Sequence, residues 1–249
     1  MNIKTITSTQ NVEIKSVAAL QDKKERSKLG MFVAEGVRTC TTLIKSSAKL
    51  VQMYTTQAML DTALSLTHAK FITIVDQVVM EKISGTKTAS GLVAVFKIPK
   101  HPAAEELSSG MVLANITDPG NMGTLIRTAS ALSTTSIVVV EGTDPWSPKV
   151  IQASAGTIGT VKIFQWDWME LIEKKGDIPL CALVVSGGRP PHKLHDVESL
   201  LVIGNEAHGI PQEWIDSCEQ QITLPMPGNT ESLNAAVAGS IALYLSKIK

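Results

Sequence analysis

Hydrophobic and polar positions along the first hundred residues change repeatedly between helical spacing and short apolar runs. Helical spacing of the apolar residues predicts helices over residues 16–28, 37–45, 58–67 and 77–83. Short runs that are rich in β-branched and aromatic residues predict strands over residues 32–34, 51–54, 71–75 and 92–95. This alternation of helices and strands predicts a small α/β domain over residues 1–98.

The pattern changes after this first part of the chain. Residues 99–110 contain Pro99 and Pro102 in a polar stretch without periodicity, which is typical of a linker. Short apolar runs then recur, separated by helical or loop segments, at residues 111–116, 137–140, 180–185, 200–203 and 222–224. Such runs are typical of parallel strands that are buried on both faces. The sequence therefore predicts a second α/β domain over residues 111–249.

Composition narrows the class of protein. Hydrophobic residues make up 44% of the 249 residues, which is ample for buried cores. The longest apolar runs fall far below the roughly 20 residues that a membrane-spanning helix requires. The first fifteen residues have neither the apolar core of a secretory signal nor the Arg-rich character of a transit peptide. We therefore expect a cytoplasmic protein without a membrane span.

The charge distribution is uneven although the net charge is zero. Residues 1–50 carry nine Lys or Arg against four Asp or Glu, a balance of +5. The cluster at residues 23–28 is either a solvated helix face or a surface that contacts phosphates. The three cysteines, Cys40, Cys181 and Cys218, lack the spacing of metal ligands, so we expect neither a disulfide nor a bound metal.

Three segments of the second domain join a strand to a helix, where ligand sites of open α/β sheets gather. In the first, residues 115–129, a helix is predicted to begin near Asn121, which is a candidate N-cap. Arg127 has small or apolar neighbours in the sequence. We therefore expect its guanidinium in a packed face, where it needs a polar or anionic partner, and Glu206 is a candidate.

The second and third segments carry the other candidate site residues. Residues 201–211 form an apolar strand followed by a turn between Gly204 and Gly209, with Glu206 inside it. Glycine permits the close approach of a backbone to a ligand. In residues 224–238, Ser232 and Asn234 stand at the predicted start of the C-terminal helix, where helix capping is the alternative role.

Taken together, these segments resemble a known family. In this order and in these local sequences, Asn121, Arg127, Glu206, Ser232 and Asn234 resemble the three motifs of the SpoU family, which are RNA ribose 2′-O-methyltransferases of the SPOUT superfamily. The resemblance extends through residues 149–156, and Ser133 stands where the family often has glycine. The first domain is more loosely similar to the N-terminal substrate-binding domain of the longer members, chiefly at residues 23–26 and 32–36.

The resemblance implies a fold and a cofactor. It implies a catalytic domain built on a trefoil-knotted, mainly parallel sheet, although knots are rare exceptions to the usual connection rules. The implied cofactor is S-adenosylmethionine, and no GxGxxG phosphate loop is present to bind it in the ordinary way. The implied cofactor-binding residues are Ile203, Gly204, Leu224, Met226, Ser232 and Leu233. The implied RNA-binding residues of the first domain are Lys23, Lys24, Arg26, Glu35 and Arg38.

The resemblance also implies a reaction. The family gives the central role to Arg127, with Asn121, Glu206, Ser232 and Asn234 as positioning partners. Because a guanidinium is essentially never deprotonated in proteins, we expect Arg127 to orient a phosphate and stabilise the developing alkoxide. Ribosomal RNA is the favoured substrate, and a homodimer through the catalytic domain is expected. A tRNA enzyme, a methyltransferase acting on a base nitrogen and a non-catalytic RNA-binding protein of the same fold remain alternatives.

Overall fold

The computed structural model describes residues 3–86, 88–191, 198–228 and 232–247. Residues up to 100 form the elements β1 (Lys4–Ile6), α1 (Val12–Ala19), α2 (Lys23–Leu29), β2 (Met31–Glu35), α3 (Val37–Lys45), β3 (Leu50–Thr55), α4 (Leu60–Leu66), β4 (Ile72–Val75), α5 (Gln77–Ser84) and β5 (Leu92–Lys97). The later elements are β6 (Gly110–Ala114), α6 (Pro119–Ala131), β7 (Ser136–Val140), α7 (Pro148–Ala153), β8 (Lys162–Trp166), α8 (Trp168–Lys174), β9 (Leu180–Leu183), β10 (Leu200–Ile203), α9 (Gln212–Asp216), β11 (Gln220–Ile222) and α10 (Ala235–Lys247).

The chain divides into two compact units. The first comprises Met1–Lys100 together with Trp146–Gly159, and the second comprises His101–Pro145 together with Thr160–Lys249. The stretch Trp146–Gly159 therefore packs with the first unit, although the sequence analysis places it within the second domain. The division of functions between domains stays a prediction.

The first unit is built on a five-stranded mixed sheet with the order β1-β4-β3-β5-β2. Strand β5 is antiparallel to both β2 and β3, and β4 is parallel to β1 and β3. The Trp146 ring lies 5.2 Å from the Phe32 ring of β2. At Gly156, an added Cβ would lie 2.5 Å from the Thr39 carbonyl oxygen, so a larger residue would separate this stretch from α3. Aromatic packing and a glycine thus hold the returning stretch in the first unit.

The predicted helix over residues 16–28 is two helices. Helix α1 ends at Ala19, and Asp22 begins α2 by accepting a hydrogen bond from the Lys24 amide at 2.7 Å. A side-chain cap of this kind satisfies a free amide of the helix terminus and so favours a new start. Gly30, with φ of 61°, then ends α2 in the left-handed conformation. The strands β1 and β8 were not predicted.

The second unit is built on a six-stranded parallel sheet with the order β11-β9-β10-β6-β7-β8. Every residue of β6, β7 and β10 is buried, as expected for parallel strands that are covered on both faces. This confirms the predicted fold class. None of the described helices combines the length and apolar character needed to cross a bilayer. The trefoil knot stays a prediction.

Candidate active site

The site forms at the carboxyl ends of β6 and β10, which are adjacent, parallel strands. Leu113 of β6 pairs with Ile203 of β10, so the segments that follow both strands leave the same edge of the sheet. Helix α6 begins at Pro119, and Asp118 caps it by accepting a hydrogen bond from the Asn121 amide at 2.7 Å. The expectation that Asn121 caps the helix is therefore wrong. Because Asp118 takes that role, the Asn121 side chain is available for other contacts.

A tight turn follows β10. The backbone amides and carbonyls of Asn205 and Gly209 pair with each other, both at 3.0 Å, and close the turn. A Cβ added at Gly204 would lie 2.4 Å from the Gly209 carbonyl carbon, a distance that no side chain tolerates. Gly209 has a φ of 68°, in the region that favours glycine. Gly204 is thus required for the close approach within the turn, and Gly209 favours its backbone conformation.

Glu206 lies in this turn and accepts hydrogen bonds from the segment after β6. Its carboxylate accepts from Asn121 Nδ2 at 2.8 Å, from the Asp118 amide at 3.3 Å and from Thr117, whose Oγ1 is at 3.2 Å. Partial burial pushes the pKa of Glu206 upward, but the hydrogen bonds from Asn121, Thr117 and Asp118 outweigh it and hold the pKa below its ordinary value. Glu206 is therefore a carboxylate at neutral pH and acts as an acceptor.

Asn234 connects the third segment to the first. Its Nδ2 donates to Asn121 Oδ1 at 3.0 Å, while its Oδ1 accepts from the amides of Ala236 and Val237 at 2.9 and 3.2 Å. The Asn234 side chain therefore caps the C-terminal helix and also binds Asn121. Glu206, Asn121 and Asn234 form a continuous chain of hydrogen bonds, which we call the polar chain. Residues 229–231 of the third segment lie outside the described residues.

Arg127 lies on α6 but does not lie where the sequence analysis expected it. Its side chain is exposed, and among the described residues it makes no ion pair or hydrogen bond, either with Glu206 or with another group. The buried residues of α6 recur at intervals of three or four positions along one face, and they include Met122, Leu125, Ile126 and Ala129. Arg127 falls outside this face because helical periodicity, not adjacency in the sequence, decides which side chains are packed. The expectation of a packed guanidinium is wrong.

A cavity of about 320 Å³ lies beside the polar chain. Its lining includes all the residues that the sequence analysis assigned to cofactor binding: Ile203, Gly204, Leu224, Met226, Ser232 and Leu233. Apolar side chains predominate, and Asn205, Glu206, His208 and Ser232 add polar groups. Such a cavity has the size and the mixed character of a small-molecule site.

Part of the cavity wall comes from residues that the sequence motifs do not include. Leu183 at the end of β9 and the following Val184 and Val185 line the cavity, as do His208 and Ala238. The run at residues 180–185 was recognised as a strand. Because β9 is adjacent to β10 and parallel to it, its carboxyl end reaches the same edge of the sheet. The position of the β9 end beside the site follows from the strand order, which cannot be read from the sequence.

In the first unit, the structure separates the residues that were assigned to RNA. Lys23, Lys24 and Arg38 are exposed. Arg26 is only 3% exposed, and its Nη1 donates to the carbonyls of Leu20 and Gln21 at 2.8 and 2.9 Å. This corrects its assignment as a phosphate contact, because the guanidinium already holds the chain between α1 and α2.

Glu35 also has a local role. Its carboxylate accepts hydrogen bonds from Ser84 Oγ and from the Ser90 amide, both at 2.8 Å. These contacts tie β2 to the last residue of α5 and to the connection that follows it. Glu35 is therefore occupied within the first unit, and the geometry gives no support for an RNA contact at this position.

The described residues offer little for metal-binding or thiol chemistry. They contain no group of three or more His, Cys, Asp or Glu side chains that is arranged to hold a metal ion. Cys40, Cys181 and Cys218 are free thiols, and burial raises the pKa of each to about 12. A thiol with so high a pKa is a poor nucleophile at neutral pH.

Comparisons with known proteins match both parts of the chain. The SpoU rRNA Methylase family matches residues 109–244, and the MRM3-like substrate binding domain matches residues 11–94. The chain is 26% identical over 246 residues to the 23S rRNA (guanosine(2553)-2′-O)-methyltransferase RlmP of Bacillus subtilis, covering 97% of this chain and 98% of that protein. It is 27% identical to the 23S rRNA (uridine(2479)-2′-O)-methyltransferase of Streptomyces viridochromogenes, covering 91% and 86% respectively.

A solved structure gives the same result over the whole chain. The rRNA methyltransferase of Sinorhizobium meliloti, crystallised with bound S-adenosylmethionine, superposes with a TM-score of 0.86 and 25% sequence identity. The superposition covers 98% of this chain and 97% of that one. The similarity therefore includes both units and is not confined to the matched motifs.

Proposed function

The chain belongs to the SpoU rRNA methylase family, and we propose on this premise that it transfers the methyl group of S-adenosylmethionine to a ribose 2′-hydroxyl of ribosomal RNA. The observation that carries the proposal is the polar chain from Glu206 through Asn121 to Asn234, which lies beside the cavity. Two relatives that match more than nine-tenths of the chain are enzymes named for 2′-O-methylation of 23S rRNA.

The cavity suits the proposed cofactor. Ile203, Leu224 and Leu233 offer apolar surface for the adenine ring, while the turn at Gly204 brings main-chain groups to the cavity wall. Ser232 adds a hydroxyl that can donate or accept. When bound, S-adenosylmethionine supplies an electrophilic methyl group on a sulfonium. Because that leaving group is already cationic and departs neutral, the residues of this chain need to align the ribose oxygen and assist the loss of its proton.

The proposed roles of the site residues follow from their contacts. Glu206 is held as a carboxylate, so it positions Asn121 and does not donate a proton. Asn234 holds the other side of Asn121. Arg127 is exposed and free of intramolecular ion pairs among the described residues, so its guanidinium is available to an RNA phosphate and to the developing alkoxide. Ser232 faces the cavity as a positioning group.

The substrate is proposed at the level of ribosomal RNA. One full-length relative is named for a guanosine and another for a uridine, so the ribose is common to them and the base is not. Exposed Lys23, Lys24 and Arg38 of the first unit are the proposed phosphate contacts. A cytoplasmic location is part of the proposal because it rests on ribosomal RNA as the substrate.

A homodimer through the second unit is also proposed. Helix α10 exposes a stripe of large apolar side chains at helical spacing, Val237, Ile241, Tyr244 and Leu245, each between 38% and 51% exposed. A contiguous apolar stripe on a surface helix is typical of an interface. Light scattering of the wild type and of an Ile241→Glu, Tyr244→Glu double variant tests this. We expect a dimer for the wild type and a monomer for the variant, and a monomeric wild type would contradict the proposal.

The test of function uses tritiated S-adenosylmethionine with ribosomal RNA and, separately, transfer RNA. The wild type and Arg127→Ala are compared, and nucleosides of the labelled RNA are identified by mass spectrometry. We expect label in ribosomal RNA with the wild type alone, recovered as a 2′-O-methylated nucleoside. Label in transfer RNA would favour the tRNA alternative, and a methylated base would favour the base-nitrogen alternative. Cofactor binding without transfer to either RNA would contradict the proposed reaction.

A further inference from the structure

Asn205 makes contacts that none of the site assignments uses. We infer that Asn205 is a positioning residue, which fixes the Glu206 turn to the end of β6 and thereby sets the place of the Glu206 carboxylate. The inference deepens the proposed function and rests on it. Asn205 is half-buried, follows Gly204 directly and lines the cavity.

Both functional atoms of the Asn205 side chain are occupied. Its Nδ2 donates to the Asn115 carbonyl oxygen at 2.9 Å. Its Oδ1 accepts from the amides of Ala207 and His208 at 2.9 and 3.0 Å. One end of the amide therefore binds the chain after β6, and the other end organises the turn after β10. Only a short side chain with a donor and an acceptor can make both sets of contacts.

The Asn115 carbonyl is directed by an unusual backbone conformation. Asn115 follows the last residue of β6 and has a φ of 53°, in the left-handed region that a non-glycine residue rarely adopts. Its amide donates to the Val140 carbonyl at 2.8 Å, which holds the residue against β7. The acceptor for Asn205 is thus fixed by the sheet itself, and Asn205 links two strand ends just beyond the paired residues Leu113 and Ile203.

This link acts on Glu206 because the two residues are neighbours in the same turn. Asn205 Nδ2 lies 3.5 Å from Glu206 Oε2, so it also places a donor beside the carboxylate. Glu206 reaches Thr117, Asp118 and Asn121 only if its turn stays close to the end of β6. A misplacement of about 1 Å at a catalytic group can cost about a hundredfold in rate. Loss of the Asn205 link is therefore expected to reduce turnover.

The experiment compares Asn205→Ala and Asn205→Asp with the wild type, using methyl transfer to ribosomal RNA and thermal unfolding. Asn205→Ala removes the link, and we expect kcat to fall by about tenfold or more with little change in KM for RNA. Asn205→Asp keeps the acceptor and loses the donor, so an introduced carboxylate faces the Asn115 carbonyl and Glu206. When protonated, the introduced carboxyl can donate again. The Glu206 carboxylate and the Asn115 carbonyl oxygen should raise the pKa of this introduced carboxyl above the ordinary Asp value of about 3.9, so the ratio of variant to wild-type kcat should rise as the pH is lowered from about 8 to about 5.

Gln165→Glu is the matched control, since it converts an exposed amide on the edge strand β8 to a carboxylate. Its activity ratio to the wild type should be flat with pH. A wild-type kcat for Asn205→Ala, or a flat ratio for Asn205→Asp, would overturn the inference. If Asn205→Ala does not fold, the pH dependence of Asn205→Asp decides. A wild type that transfers no methyl group in this assay would contradict the proposed function, whereas a wild type that is active alongside a fully active Asn205→Ala would contradict only the role of Asn205.

Discussion

Asn121 Nδ2 donates a hydrogen bond to Glu206 Oε1 at 2.8 Å, across 85 positions of the chain. The same amide accepts from Asn234 Nδ2 at 3.0 Å through its oxygen. Asn121 is therefore the central link of the polar chain, because it donates on one side and accepts on the other. Three segments that are distant in sequence meet at this one side chain.

The central place of Asn121 predicts the effect of Asn121→Asp. The substitution keeps the acceptor for Asn234 but replaces the donor to Glu206 with a carboxylate, so two negative charges face each other. Since hydrogen bonds to charged groups contribute roughly 1.5–3 kcal/mol, we expect kcat to fall by about tenfold or more. Asn11→Asp is the control, because the Oδ1 that caps α1 is retained. Equal methyl transfer by both variants would contradict the role of the donor.

The lowered pKa of Glu206 predicts a pH dependence of stability. The pKa is below its ordinary value of 4.5 in the folded protein because hydrogen bonds outweigh the opposing effect of burial. A group with a lowered folded pKa stabilises the fold above its unfolded pKa and loses this contribution as the pH falls through the folded pKa. We therefore expect the difference in melting temperature between the wild type and Glu206→Gln to shrink below about pH 4.5. A difference that is constant from pH 7 to pH 3 would contradict the shift.

Two glycines of the Glu206 turn predict graded effects. Gly204→Ala places a Cβ 2.4 Å from the Gly209 carbonyl carbon, so the backbone must move. A Cβ added at Gly209 meets no atom within 4 Å, so the cost of Gly209→Ala is only the backbone strain of an alanine at a φ of 68°. We expect Gly204→Ala to lose binding of S-adenosylmethionine, measured by calorimetry, and Gly209→Ala to bind more weakly than the wild type by about one order of magnitude or less. The reverse order would contradict the described turn.

The exposure of Arg127 predicts a separation of activity from stability. Because the side chain has no intramolecular ion pair among the described residues, Arg127→Ala should change the free energy of unfolding by about 0.5 kcal/mol or less. Methyl transfer should be lost. Arg127→Lys keeps the charge but not the planar fork of donors, so we expect most of the activity to be lost as well. Nearly full activity of Arg127→Lys would show that bidentate guanidinium geometry is irrelevant.

Neighbouring residues of the basic cluster at residues 23–28 should respond differently to substitution, because Lys23 and Lys24 are exposed and Arg26 is buried. A Lys23→Ala, Lys24→Ala double variant should melt like the wild type but bind ribosomal RNA more weakly, with a reduced dependence of affinity on salt. Arg26→Ala removes a buried side chain that bonds two carbonyls, so it should lower the melting temperature. Thermal unfolding and filter binding at two salt concentrations check both. A salt dependence unchanged by the lysine substitutions would contradict their assignment.

The elements of both sheets were largely predictable, since apolar runs and helical spacing report local burial. Strands β6, β7 and β10 and helices α3 and α5 lie close to their predicted positions. Two local errors have identifiable causes. Asp22 starts a new helix inside a continuous helical pattern, and Asp118 caps α6 three positions before Asn121. In the first case a side-chain cap interrupts a continuous hydrophobic pattern. In the second, Pro119 and Gly120 indicate a turn, but proline is also compatible with the first turn of a helix, and α6 begins there.

The sequence by itself determined the α/β class and the parallel second sheet, because residue types and spacing are local properties, and its motifs named Asn121, Glu206 and Asn234. Only the tertiary structure decided how those residues are used. It buried Arg26, exposed Arg127 and directed Glu206 to Asn121, since these outcomes depend on which helix face is packed and which strands are neighbours. It also brought Asn205 to the Asn115 carbonyl. A contact across 90 positions follows from strand order and register, which no local pattern contains.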